Sequence, residues 1–382
     1  MWTYLLIFGT AFFVVLLSTP ALIRVAILKR LFDEPKEDRK IHKRLIPTIG
    51  GIIIFAATLF AFALWFPFDE LHVFKQLKRS VNDFQFIVAT ILILFFVGVK
   101  DDIIGTAPMK KLVAHILVGL ILVLMADIKI TGFHGLFGLR EIPYWGQVFL
   151  SLSTYIVVVN AFNLIDGIDG LAAGIGFICG LAFGIWFYMA GEPVMAALAF
   201  SMAGSLLGFL FFNFSPAKIF MGDSGSLSIG LIVCVLAVRL IEYQIPSTSD
   251  DVSESLIDFN VNGLSDMVTN ISKPLFVMAV LSYPLLDTLR IFIYRTARGI
   301  SPFAADRNHI HHRLIDIGLS HRGTAIALYA SNILVITTAV LTRNMDPSYA
   351  FFIVGGVAIG IAQIPFLIKK VKNRSNGISN GH

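Results

Sequence analysis

Eleven apolar runs, each near the length of a bilayer crossing, dominate this chain and leave it few folds to adopt. A hydrocarbon core takes about 20 mostly apolar residues in helical form. The runs fall at 4–27, 49–67, 83–99, 112–126, 146–162, 168–189, 193–212, 224–242, 273–294, 323–341 and 348–368. Backbone polar groups in lipid must be paired within their own segment, so such runs fold as helices. The predicted fold class is an all-α integral membrane protein with about 11 transmembrane helices. Of the 382 residues, 56% are hydrophobic and 14% are charged, against about 25% charged in an average soluble domain. That balance excludes a disordered chain, a collagen, a coiled coil and an ordinary soluble enzyme. Cys179 and Cys234 both lie inside apolar runs, which implies no disulfide framework and no CxxC metal knuckle. The first run has no basic start and no small-residue cleavage site, so it reads as a retained helix.

Lys and Arg in the loops set the orientation. The loops 28–48, 100–111, 160–170, 213–226, 295–322 and the segment after 368 hold about 20 of the 30 basic residues, and the alternate loops hold about 6. The first set is therefore expected in the cytoplasm, with the N-terminus outside and the C-terminus inside. The net charge of +5 then reflects topology and anionic substrates, not a nucleic-acid partner. Residues 1–370 read as one polytopic membrane domain and 371–382 as a short polar cytoplasmic tail. The loop 243–272 is long, acidic and external, with no Lys or Arg before Lys273.

The unusual polar groups converge on the cytoplasmic loops. The first loop carries Lys40 and His42, then Pro47-Thr48-Ile49-Gly50-Gly51. A proline and two glycines at a helix mouth point to close backbone approach. The third run ends in Lys100-Asp101-Asp102. Adjacent carboxylates oppose the negative end of a helix dipole, so Lys100, Lys110, Lys111 or a metal must offset them. Asn160, Asn163, Asp166 and Asp169 recur every third residue before and through a Gly167/Gly170 turn. On a helix they would sweep around one side. No basic residue stands nearby in sequence. Phe220-Met221-Gly222-Asp223-Ser224-Gly225 opens the eighth run. Asp223 and Ser224 are N-cap types, and a glycine-rich helix entry is also a ready phosphate site. The last such loop holds Arg307, then His309-Ile310-His311-His312-Arg313. Three histidines raise zinc, but no spaced ligand set supports a closed site. Phosphate or a sugar hydroxyl is the better fit. Asp287, Arg290 and Arg239 lie in or near apolar runs, where ionisable groups are functional or paired. Asp287 and Arg290 have the i, i+3 spacing of a pair.

Together, Asp101-Asp102, Asn163-Leu-Ile-Asp166-Gly-Ile-Asp169-Gly, Phe220-Met-Gly-Asp223-Ser-Gly and His309-Ile-His311-His312-Arg313 resemble the motifs of the polyprenyl-phosphate N-acetylhexosamine-1-phosphate transferases. These are bacterial integral membrane enzymes of glycosyltransferase family 4. The resemblance covers about residues 1–370 and is nearest to the branch acting on UDP-GlcNAc and undecaprenyl phosphate. It implies formation of GlcNAc-diphospho-undecaprenol and UMP with Mg²⁺ or Mn²⁺, at the bacterial cytoplasmic membrane, in the first membrane step of envelope glycan synthesis. It also implies a homodimer. The sister enzyme uses UDP-MurNAc-pentapeptide and carries three adjacent histidines, whereas Ile310 interrupts them here.

By the same resemblance, Asp223 is the leading metal ligand, with Asp166 and Asp102 beside it. Asp101 is the base or phosphate-orienting carboxylate, supported by Asp102. Asn163, Asp166 and Asp169 hold the nucleotide, with Asp169 and Phe220 near the uracil. Arg307, His309, His311 and His312 meet the diphosphate or GlcNAc, and Lys110, Lys111, Lys40 and His42 are phosphate contacts.

Two other readings stand beside it. A secondary transporter would place its polar site near the membrane midplane, often between repeated halves. Here the acids cluster toward one face and no repeat is visible. A metal-dependent lipid phosphatase would use similar carboxylates. In the external loop, Asp258, Asn260, Asn262, Gly263 and Asp266 match the opening of a calcium loop. Thr269 replaces the closing Glu, so a solvated acidic loop is expected.

Overall fold

A computed structural model describes residues 1–29, 46–68, 74–244, 270–299 and 309–379. Among these the chain is helical apart from turns and isolated bridge residues, among them the pair Gly132 and Glu141. The helices are α1 (Trp2–Leu28), α2 (Gly50–Leu64), α3 (Phe74–Ile104), α4 (Pro108–Leu120), α5 (Tyr144–Ile165), α6 (Leu171–Met189), α7 (Pro193–Asn213), α8 (Gly222–Ile241), α9 (Lys273–Val280), α10 (Ser282–Ala297), α11 (Ile310–Asp316), α12 (His321–Leu341) and α13 (Pro347–Ser379). A π turn at Ile121–Met125 extends α4.

Eight of these elements are long and apolar enough to cross a membrane. The α9–α10 pair would make a ninth, bent by 75°. The run expected at 49–67 forms a helix of only 15 residues, α2. The run expected at 83–99 lies inside the longer α3, whose first turns are polar. Helix α13 extends to Ser379, into the polar tail expected from 371.

Helix α8 is the axis of the molecule. Every residue of its apolar span is buried, as a helix that is hydrophobic all round requires. Helices α2, α3 and α5 pack on it through small residues. A Cβ on Gly51 would strike the backbone of Gly225, and one on Gly98 would strike that of Ser224. Small residues at such crossings let backbones approach where lipid supplies no hydrophobic drive.

The two ends of α8 differ in chemistry. At its C-terminal end Arg239 pairs with Asp83 and donates to the Ala126 carbonyl at 3.3 Å. Glu242, just beyond, accepts from the Thr131 N–H at 2.8 Å and the Thr131 hydroxyl at 2.6 Å. Arg239 is thus paired, as a charge in an apolar segment must be. The N-terminal end is where the sequence motifs meet.

Candidate active site

Four helix ends form the site: the C-termini of α3 and α5 and the N-termini of α4 and α8. Their side chains are tied together by charge. Lys111 Nζ, in the first turn of α4, lies 2.7 Å from Asp101 Oδ2 and 2.5 Å from Asp223 Oδ2. Asn163, near the end of α5, donates to the other Asp223 oxygen at 2.9 Å and to Ser226 Oγ at 3.0 Å. Asp223 is therefore held on both oxygens, by a cation and by an amide. Lys110 is exposed, because one residue along a helix turns a side chain by about 100°. The cation that offsets Asp101 comes from α4.

Asp102 is used differently from its neighbour. Its two oxygens accept the backbone N–H groups of Asp223 at 2.7 Å and Ser224 at 3.1 Å. It caps α8 from another helix, satisfying donors that a helix start leaves unpaired. Asp223 and Ser224 do not cap α8 themselves, and Met221 at the cap position offers no side-chain bond. Gly222 makes the entry possible. It has φ of +73°, and a Cβ there would lie within 2.7 Å of both Asp102 oxygens. Burial pushes the Asp102 carboxyl up to about 6, with the Asp223 charge adding to the rise and the Ser224 and Asp223 hydrogen bonds opposing it. Burial, helped by the Asp223 charge, also raises Asp101 against the pull of Lys111.

The polar series in the 160–169 segment does not share one helical face. Helix α5 stops at Ile165, so the four residues fan out around its end. Asn160 donates to the Ile156 carbonyl at 2.7 Å and faces His115 Nδ1 at 3.4 Å. Asn163 faces Asp223. Asp166 accepts from Gly222, and burial with the Asp223 and Asp102 charges drives its carboxyl well above the usual range. Asp169 accepts from Ala217 N at 3.1 Å, which holds the 214–221 loop. Phe220 is bound through its backbone: its N–H donates to Pro47 O at 2.8 Å and its carbonyl accepts from Gly50 N at 2.9 Å. The Gly50-Gly51 signal is thus explained by packing on the α8 entry, since Gly51 N also donates to Met221 O at 2.7 Å.

The histidine segment docks against this turn. A Cβ on Gly167 would come within 2.9 Å of His311 Nε2. Burial holds His311 down at about 3, which favours the neutral ring. His309 and His311 stack with centroids 5.3 Å apart, and His312 lies 4.3 Å from His311. Asp287 does not pair with Arg290. It accepts from His309 and Ile310, while Arg290 lies 3.9 Å over the Phe366 ring. Lys40, His42 and Arg307 fall outside the described residues, as does the calcium-loop pattern at 258–269. His115 escaped the sequence reading. Its signal was a lone histidine in an apolar run, one helical turn beyond Lys111.

The model for glycosyl transferase family 4 matches residues 84–241, the stretch that carries Asp101, Lys111, Asn163 and Asp223. The decaprenyl-phosphate N-acetylglucosaminephosphotransferase of Mycolicibacterium smegmatis is 31% identical over 353 residues, covering 90% of this chain and 82% of that protein. The chain belongs to glycosyl transferase family 4. It is similar to two further members, again by names that concern those proteins. The Mycobacterium leprae decaprenyl-phosphate N-acetylglucosaminephosphotransferase is 30% identical, covering 90% of this chain and 84% of that one. The Escherichia coli K12 undecaprenyl-phosphate alpha-N-acetylglucosaminyl 1-phosphate transferase is 26% identical, covering 92% and 90%. As a family 4 protein the chain is an enzyme of the phosphotransferase kind. Members of this family generally need a divalent metal. Asp101 and Asp223 supply hard oxygen donors whose charges Lys111 offsets, whereas the group whose candidate ligand atoms all lie within 4.8 Å of one another among the described residues is Asp287, His309 and His311. Both oxygens of Asp102 are engaged by α8 amides, as both of Asp223 are by Lys111 and Asn163.

Proposed function

We propose that this enzyme transfers GlcNAc-1-phosphate from UDP-GlcNAc to undecaprenyl phosphate, giving GlcNAc-diphospho-undecaprenol and UMP. The observation that carries this reading is the Asp101–Lys111–Asp223–Asn163 network at the start of α8, at the end of the helix bundle. One substrate is water-soluble and the other has its phosphate at the membrane surface, so the two can meet only at such an end. The proposed topology has eleven crossings, the site in the cytoplasm and the N-terminus outside, in one polytopic domain at the bacterial inner membrane.

In the proposed reaction an oxygen of the lipid phosphate forms a bond to the sugar-bearing phosphorus of UDP-GlcNAc. The bond from that phosphorus to the bridging oxygen breaks, and its electron pair leaves with UMP. A phosphate monoester, with a second pKa near 6, is already mostly dianionic at pH 7. It needs orientation more than a base, which favours direct attack over a covalent Asp intermediate. Bound Mg²⁺ or Mn²⁺ would be held by Asp223 and Asp166 and would supply charge neutralisation at the diphosphate. Lys111 adds a fixed cation, and Asn163 holds the Asp223 carboxylate in place. Asp102 orients α8, whose dipole favours the anionic substrate at its N-terminus. The His309–His312 segment would meet the diphosphate or the GlcNAc.

The test is UMP release by purified protein in detergent. UDP-GlcNAc, UDP-GalNAc and UDP-MurNAc-pentapeptide are each supplied with undecaprenyl phosphate. The expected result is turnover with UDP-GlcNAc that depends on the lipid. Preference for another sugar would move the specificity, and phosphate release from the lipid alone would favour a phosphatase. A burst of UMP without lipid acceptor would overturn direct attack.

A further inference from the structure

The bent α9–α10 pair carries a fully buried carboxylate that the reaction above leaves unused. Asp287 has no exposed surface. Its Oδ2 lies 2.8 Å from His309 Nδ1, and its Oδ1 accepts the Ile310 N–H at 2.8 Å. A carboxylate facing a ring nitrogen at hydrogen-bond distance requires that nitrogen to carry the proton. The pair therefore places a proton on Nδ1 and leaves Nε2 as the ring's second nitrogen. The second bond ties the following residue to the same carboxylate, so the segment is fixed in place as well. His309 then stacks on His311, and His311 abuts the Gly167 turn that carries Asp166. A continuous set of contacts thus runs from α10 to the acidic centre.

We propose that Asp287 is a positioning residue: it holds His309 so that Nε2 is presented to the diphosphate of the nucleotide sugar. This rests on the transferase reading of the site. Asp287, His309 and His311 also bring potential metal-binding atoms within 4.8 Å of one another. The direct 2.8 Å contact from oxygen to nitrogen is that of a hydrogen bond, which engages two of these atoms with each other.

The test is a double-mutant cycle in full-length protein in detergent, read by UMP release from UDP-GlcNAc and undecaprenyl phosphate. Asp287→Asn keeps shape and loses the charge that favours Nδ1–H. It is expected to lower kcat on the order of 10²-fold, as small misplacements of reacting groups do. The KM for UDP-GlcNAc should move far less. His309→Gln should give a similar loss. Adding Asp287→Asn to His309→Gln should cost no more than about 2-fold further, because the two act as one unit. Near-wild-type kcat in Asp287→Asn, or fully multiplying losses, would overturn the proposal. So would failure of Asp287→Asn to fold, which would make the residue structural. Stoichiometric zinc that resists chelation would overturn it in favour of a metal site. If wild-type protein releases no UMP, the transferase reading fails instead. Non-additive melting temperatures across the same cycle would then still report the Asp287–His309 pair.

Discussion

Lys111 sets the charge balance of the site at the residue scale. Its ammonium occupies oxygens of Asp101 and Asp223 that a divalent cation would also seek. Lys111→Met is expected to lower turnover on the order of 10²-fold, as loss of a positioned charge-stabilising group does. It should also shift the Mg²⁺ dependence of the remaining activity to lower concentration, because a competitor is gone. A shift to higher Mg²⁺ would show that Lys111 and the metal do not compete. Asp223→Asn keeps the volume and removes the charge. It is expected to abolish UMP release, and a wild-type rate at saturating Mg²⁺ would remove Asp223 from the metal role. Asp101, Asn163 and Asp223 were legible in the sequence as polar residues at the mouths of apolar runs. The choice of Lys111 over Lys110 was not, because it depends on how α4 is rotated against its neighbours. Nor was the use of Asp102, whose acceptor bonds reach amides 121 residues away.

At the scale of the element, α8 decides whether the site exists. Its first turn must lie against α2 and α3 closely enough for Asp102 to reach its amides. Gly98 provides the clearance: a Cβ there would stand 2.5 Å from Ser224 N and 2.7 Å from Asp223 C, atoms of backbone that cannot yield. Gly98→Ala is expected to destabilise the protein by about 1–3 kcal/mol through overpacking. Activity should fall with it, because Asp223 moves with the backbone. A melting temperature and a rate both unchanged would show that the helices adjust at no cost. Gly50-Gly51 announced a close approach in the sequence, but the approaching group proved to be the α8 entry. The three-residue spacing of Asn160, Asn163, Asp166 and Asp169 was read as one side of a helix. The helix ends at Ile165, and the turn sends each side chain to a different partner.

The whole molecule has two chemically distinct ends, with the carboxylate network at one and the Arg239–Asp83 pair at the other. The distribution of Lys and Arg predicts that the carboxylate end is cytoplasmic. Both native cysteines are buried, so introduced ones can report on sidedness. Asn344→Cys, in the turn before α13, is expected to react with a membrane-impermeant maleimide in intact cells. Asp316→Cys, at the end of α11, should react only after the membrane is opened. The reverse pattern would invert the topology and move the proposed site outside. The all-helical class, and the gathering of acids at the mouths of apolar runs, were determined by the sequence alone; the lengths of α2 and α3 and the bend between α9 and α10 were not. Runs of apolar residues and the polar residues between them are local properties, and lipid admits no other pairing for the backbone. Which side chains meet was decided only by the tertiary structure. Lys111 between two aspartates, Asp102 on the amides of α8 and Asp287 on His309 all depend on helix rotation and on contacts between distant parts of the chain.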